Sequence, residues 1–161
     1  MKYSVKKISG SIFKDHRGII WTSWEKNKKK IGGLKFNHDK FSLSKKNVLR
    51  GIHWDKKTWK LISCVYGKFF FVVINCNKKS NNYLNYKTYI LDGSKNIQIL
   101  VPPYYGNAML CLSKECIMHY KLSYPGKYND IKNQYSIRWN DPRIKIKWPK
   151  TKKKLFSIRD A

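Results

Sequence analysis

Apolar residues in this chain gather in short runs rich in β-branched and aromatic side chains, recurring every 10 to 15 positions. The runs cover residues 18–24, 34–42, 48–54, 59–66, 68–75, 86–91, 97–101, 108–112 and 117–122. Turn signals separate them, among them Tyr66-Gly67, Lys79-Ser80-Asn81-Asn82, Asp92-Gly93-Ser94, Pro102-Pro103 and Ser123-Tyr124-Pro125-Gly126. Before residue 126 no apolar pattern of helical period persists for three turns. Phe69-Phe70-Phe71-Val72-Val73-Ile74 is continuous rather than alternating, which predicts a strand buried on both faces. The pattern therefore predicts an all-β chain, most economically a sandwich or jelly roll. The last 35 residues change character: Trp139-Asn140-Asp141-Pro142 and Trp148-Pro149 make turns, so this segment is expected to wrap the barrel as a short loop or helical segment.

Composition narrows the picture in three ways. With 161 residues and neither a repeat nor a low-complexity linker, one domain over 1–161 is expected. No stretch approaches the roughly 18 uninterrupted apolar residues of a membrane span, and Met1-Lys2-Tyr3-Ser4-Val5-Lys6-Lys7 has no apolar core behind it, so a soluble, cytoplasmic protein is expected. The 35 Lys and Arg against 9 Asp and Glu, a net charge of +26, favour polyanions such as nucleic acid or acidic glycans. These residues are spread from Lys2 to Arg159, however, as solvated lysines beside Asn and Ile. Cys64, Cys76, Cys111 and Cys116 form no C-x-x-C pair, which argues against disulfides or zinc. Six Trp and eleven Tyr exceed the needs of one small core, and a concave surface for a flat-ringed ligand fits the surplus.

The fragment Val48-Leu49-Arg50-Gly51-Ile52-His53 concentrates chemistry: a general base and an anion clamp three positions apart in a strand. Odd separations normally point to opposite faces, but Gly51 marks a bulge able to turn both into one cavity. An ordinary half-buried strand with a satisfied histidine explains the same fragment. The other histidines are His16, His38 and His119. His53 with Asp55 is too small a ligand set for a metal, and neither a partnered cysteine nucleophile nor a Gly-rich phosphate loop is present.

In order along the chain stand Asp15-His16-Arg17-Gly18, then Ser44 to His53, Lys60-Leu61-Ile62, Val101-Pro102-Pro103-Tyr104-Tyr105-Gly106-Asn107-Ala108 and His119-Tyr120-Lys121. Ile137-Arg138-Trp139-Asn140-Asp141-Pro142, Ile146-Lys147-Trp148-Pro149 and Ser157-Ile158-Arg159-Asp160-Ala161 follow. Together these resemble the nucleotide-sugar epimerases typified by dTDP-4-dehydrorhamnose 3,5-epimerase, whose motifs include D-x-R-G, I-P-P-G-F-A-H-G, L-Y-K, I-R-W-D-D-P, I-x-W-P and S-x-K-D-A. The resemblance runs from about residue 8 to the end. It implies a cupin-type jelly-roll homodimer that acts on a nucleotide-diphosphate-linked 4-keto-6-deoxy sugar without metal or cofactor, in deoxysugar or surface-polysaccharide synthesis. His53 matches the family's base, Tyr120 its acid, Asp160 the carboxylate that orients the base, and Lys60 a cation beside the sugar. Arg17 and Arg50 match arginines near the diphosphate.

Departures bear on the substrate. Asn107 stands where the family has histidine, Phe71 where it has aspartate, and Thr22 where many relatives have glutamate; His38-Asp39-Lys40-Phe41-Ser42 replaces Q-D-N-x-S. Asn107 is thus a substrate-binding candidate, and thymidine specificity does not follow. Tyr124, Tyr128 and Trp139 are candidates for stacking on the base, with packing as the alternative. His119, adjacent to Tyr120, is expected on the opposite face and outside the catalytic set. Two further functions stay open. One is a single-centre epimerase or 3,4-ketoisomerase, the latter disfavoured because Trp54-Asp55 follows His53 in place of a His-x-His pair. The other is a non-catalytic basic module for nucleic acid or acidic glycans.

Overall fold

The computed structural model describes residues 4–25, 31, 33–127 and 134–160. Among them twelve strands form: β1 Lys6–Ser9, β2 Phe13–Asp15, β3 Gly18–Ile20, β4 His38–Lys45, β5 Leu49–Trp54 and β6 Trp59–Tyr66. Then come β7 Lys68–Asn75, β8 Tyr86–Asp92, β9 Ile97–Val101, β10 Tyr105–Cys111, β11 Glu115–Ser123 and β12 Tyr135–Ser136. One antiparallel sheet runs β1-β9-β6-β11-β4 and the other β12-β5-β10-β7-β8, while β2 and β3 make a separate hairpin. From β4 onward the chain crosses between the sheets at nearly every step, the β7–β8 hairpin being the exception. This is the jelly roll expected from the runs.

Strands β6, β7 and β9 coincide with their apolar runs, whereas β4 starts four residues later than the run at 34–42. Leu34 and Phe36 are apolar because they pack on Ile8, Ile31, Leu61 and Leu100, outside any strand. β1 and β12 carry no apolar run. They exist through backbone pairing, β1 with β9 and β12 with Trp54 and His53.

The continuous apolar segment in β7 is buried on both sides, and two packing layers explain why. Phe69, Phe71 and Val73 face the other sheet, in a core with Ile62, Leu91, Ile99, Met109 and Met118. Phe70, Val72 and Ile74 face outward into a second cluster, roofed by Ile137, Trp139, Ile144, Ile146, Trp148 and Phe156 from the C-terminal segment. Full burial of one such side chain contributes roughly 1.5–3 kcal/mol. The described part of that segment consists of turns and extended chain, the loop form of the two expected. It is tied to the barrel by a parallel bridge between Val48 and Leu155, with Leu49 N donating to Leu155 O at 2.9 Å. All four cysteines are free and buried. Burial pushes the Cys64 thiol up to about 12 and that of Cys76 up to about 11, so neither is a thiolate near neutrality.

Candidate active site

β5 delivers its chemistry through an irregularity. β10 pairs Asn107 with His53 and Met109 with Arg50, so a step of two residues on β10 spans three on β5. Gly51 lies inside this bulge with φ +115°, and a Cβ there would come 2.5 Å from the Asn107 carbonyl oxygen and 2.7 Å from Ala108 Cα. A side chain has no room at that point. The extra residue turns Arg50 and His53 toward one cavity of about 260 Å³ between the sheets, whose lining includes Lys40, Lys60, Asn107, Tyr120 and Asp160. Of three larger clefts, two of about 650 Å³ contain no histidine, and one of about 380 Å³ is lined by His119 without a carboxylate.

His53 is oriented from the far end of the chain. Its Nε2 lies 2.6 Å from Asp160 Oδ1, and Asp160 Oδ2 accepts from Ser157 Oγ at 3.0 Å. Burial pushes the Asp160 carboxyl up, but hydrogen bonds from His53, Ser157 and the Gly51 backbone, with the attraction of the imidazole, hold it below the usual carboxylate range. With Nε2 engaged by a carboxylate, Nδ1 is the basic atom of the ring.

Around this pair stand the groups a proton transfer on carbon needs. Lys60, buried, donates to Asn107 Oδ1 at 3.0 Å. Tyr120 sits opposite Lys40 in the β11–β4 register, with the Lys40 ammonium 5.8 Å from its ring centroid. Arg50 is held by Ser44 Oγ at 2.9 Å and Leu43 O at 3.3 Å. Arg159 reaches Gln134 Oε1 at 3.1 Å and Ser136 Oγ at 3.4 Å. The set supplies a base, a phenolic acid, a buried cation for a developing oxyanion and guanidinium groups for phosphate oxygens. Among the described residues no cluster of three His, Cys, Asp or Glu converges as a metal ligand set.

Of the residues singled out in the sequence, His53, Tyr120, Asp160, Lys60, Arg50 and Asn107 all line this cavity. Three others do not. Arg17 is on the exposed β2–β3 hairpin, paired with Asp15 at 2.6 Å. Tyr124 is buried, and its backbone is fixed by the Asn37 side chain. Trp139 stacks on Phe156 with centroids 5.3 Å apart and meets Trp148 edge-on, so it serves packing rather than the cavity. Tyr128 lies outside the described residues. His119 faces away from the cavity, as expected, with Nε2 2.6 Å from Asp39 and its ring stacked on Phe41. Phe71 is fully buried on the inner face of β7, opposite Met109, in the core between the sheets and not in the lining of the cavity. Lys40, Ser42, Gln134 and Arg159 also line the cavity without having been singled out. Arg159 lay within a matched motif and Lys40 and Ser42 within the segment that replaces Q-D-N-x-S, whereas Gln134 carried no signal.

A family model described as dTDP-4-dehydrorhamnose 3,5-epimerase matches residues 4–161. A relative of that name from Salmonella typhimurium is 30% identical over 160 residues, covering 96% of this chain and 86% of its own. Among solved structures, a dTDP-6-deoxy-D-glucose-3,5-epimerase from Legionella pneumophila in complex with dTDP-4-keto-L-rhamnose superposes with TM-score 0.89 at 27% identity, covering 97% of this chain and 84% of that one. The dTDP-4-dehydrorhamnose 3,5-epimerase from Bacillus anthracis with TDP and pyrophosphate bound gives 0.88 at 27% identity, covering 97% and 90%.

Proposed function

The chain belongs to the dTDP-4-dehydrorhamnose 3,5-epimerase family, and from that premise we propose that its cavity epimerises a nucleotide-diphosphate-linked 4-keto-6-deoxy sugar. The observation that carries this reading is the meeting of the His53–Asp160 pair, Lys60 and Tyr120 in one cavity. A C4 ketone acidifies the hydrogens on C3 and C5. His53 Nδ1 takes one of them, and the electron pair left on carbon moves onto the C4 oxygen beside the Lys60 ammonium. The ketone re-forms as the Tyr120 hydroxyl gives its proton to the opposite face of the carbon, inverting the centre. Asp160 supports the imidazolium formed in the first step. Arg50 and Arg159 carry the diphosphate.

The test is incubation with dTDP-4-keto-6-deoxyglucose in heavy water. Deuterium entering C3, C5 or both, with inversion, is the expected result; no exchange at either carbon across a panel of 4-keto nucleotide sugars refutes the reading. Asn107 favours a second reading of the same chemistry. It is an amide where the family has an imidazole, and His53 is the one histidine lining the cavity among the described residues. Inversion at a single centre is the outcome that separates this reading from the first.

A homodimer completes the proposal. Phe41, Leu43 and Val65 on the outer face of the first sheet, with Phe13 and Ile20 on the hairpin, are exposed apolar residues in a monomer. A second copy is the natural cover for them. Such a dimer would also account for Arg17, which matches a diphosphate arginine yet stands away from its own cavity: Arg17 of the partner subunit would serve it. Sedimentation of the chain at micromolar concentration as a monomer would remove this part of the proposal.

A further inference from the structure

Asp55 follows β5 and does not line the cavity, yet it is 5% exposed, and Lys60 is 4% exposed. Its Oδ1 caps the β5–β6 turn, accepting from Lys57 N at 2.9 Å and Thr58 N at 2.7 Å. Oδ2 is buried without a hydrogen-bond partner, 3.8 Å from Lys60 Nζ. A carboxylate needed only as a turn cap keeps its second oxygen in water, because burying it unpaired is costly. The position of Oδ2 therefore points to Lys60.

Lys60 needs such a partner. Its register neighbours on both sides, Val101 and Leu122, are apolar. The group it donates to, Asn107 Oδ1, is neutral. Lys40 from β4, Arg50 from β5 and Arg159 from the C-terminal turn add positive charge to the same cavity. His53, Tyr120 and Asp160 line it as well, and the Cys76 thiol, which interacts with Lys60, is neutral. A buried amine among cations loses its proton unless a nearby anion holds it, and a neutral amine cannot stabilise an enolate. Among the described residues Asp55 is the carboxylate within ion-pair reach.

We propose that Asp55 is a positioning residue that keeps Lys60 protonated and aimed into the cavity from behind. The role for catalysis rests on the epimerase reading; the ionic pairing does not. At 3.8 Å the carboxylate biases the ammonium without capturing it, leaving its hydrogens for Asn107 and the substrate oxygen.

The test is Asp55→Asn in the full chain, which retains the oxygen that caps the turn. NMR titration of ε-13C-labelled lysine, with Lys60 assigned through Lys60→Met, reads the charge directly. The midpoint for Lys60 is expected to fall by about 1–3 pH units in the variant. In the deuterium-exchange assay, loss of activity on the alkaline side moves to lower pH by a similar amount. The rate near pH 8 drops roughly 10- to 100-fold while KM changes little. Asp55→Asn in a Lys60→Met background adds no further loss. An unchanged Lys60 titration overturns the proposal, and so does an equal loss in both backgrounds. If Asp55→Asn does not fold, the wild-type titration decides, since a midpoint below about pH 9 means that no carboxylate supports the ammonium. A shifted titration together with no exchange by the wild type retires the epimerase reading and leaves the pairing standing.

Discussion

Asp160→Asn isolates the charge behind the base. The carboxylate lies 2.6 Å from His53 Nε2 and is buried, while His53 is partly open to solvent. Asparagine is isosteric, so its carbonyl can still accept from Nε2 and its amide can donate to Ser157 Oγ; tautomer and ring position survive. What disappears is one negative charge beside an imidazolium. With charge centres roughly 4 Å apart and an effective dielectric constant near 20, that attraction is about 4 kcal/mol for a full charge. The ring is only partly charged when the carbon–hydrogen bond breaks, and solvent reaches it. About 2–3 kcal/mol of transition-state stabilisation is therefore at stake, equivalent to a fall in kcat of roughly 30- to 200-fold. The assay is the initial rate of deuterium uptake from solvent at saturating nucleotide sugar, with thermal unfolding run alongside to establish that the variant is folded. KM should change less than about threefold, because Asp160 touches the base rather than the diphosphate. A folded variant with kcat within about threefold of wild type would show that the carboxylate does not support the imidazolium.

Three further outcomes are expected. Tyr120→Phe removes the acid and leaves the base, so net inversion falls roughly 10²- to 10⁴-fold while wash-in of deuterium without inversion persists; equal loss of both signals would contradict separate roles. Phe71→Ala opens a hole in the inter-sheet core at a cost of about 3–5 kcal/mol, lowering Tm by roughly 10 °C or more, and calorimetry reads it directly. In acid, the carboxyl of Asp92 is held at about 2 by Ser94 and Lys68. Its folded value lies below the unfolded one, so the stability it contributes is complete above about pH 4 and is lost as pH falls toward 2. Melting curves across that range should therefore lose less in Asp92→Asn than in the wild type.

Where burial follows from the local pattern, the chain could be read directly. β6 and β7 coincide with their apolar runs because both flank the core and every second side chain, or every one, must leave water. Gly51 announced the bulge because a glycine inside a strand has few other uses, and its crowding against Asn107 and Ala108 supplies the reason. Elements stabilised by a partner strand alone, β1 and β12, carried no such mark, since backbone pairing is indifferent to side-chain polarity. Leu34 and Phe36 extended a run beyond its strand for the complementary reason: they are apolar through packing of irregular chain.

The candidate site divides along the same line. Side-chain chemistry singled out Arg50 and His53, and the resemblance to the epimerase motifs added Tyr120, Lys60, Asn107 and Asp160. Their convergence is tertiary: Asp160 meets His53 across 107 positions, and the C-terminal turn places it there. Only the folded chain moved Arg17 out of its own cavity, made Trp139 a packing residue, and turned Asp55 from a deficient metal ligand into the counter-ion of Lys60. Sequence by itself determined the strands that bury an apolar run and which reactive groups are available, since both depend on local composition and periodicity. Which groups share a cavity, and what charge each meets there, was decided by long-range sheet pairing and by the dry space it encloses.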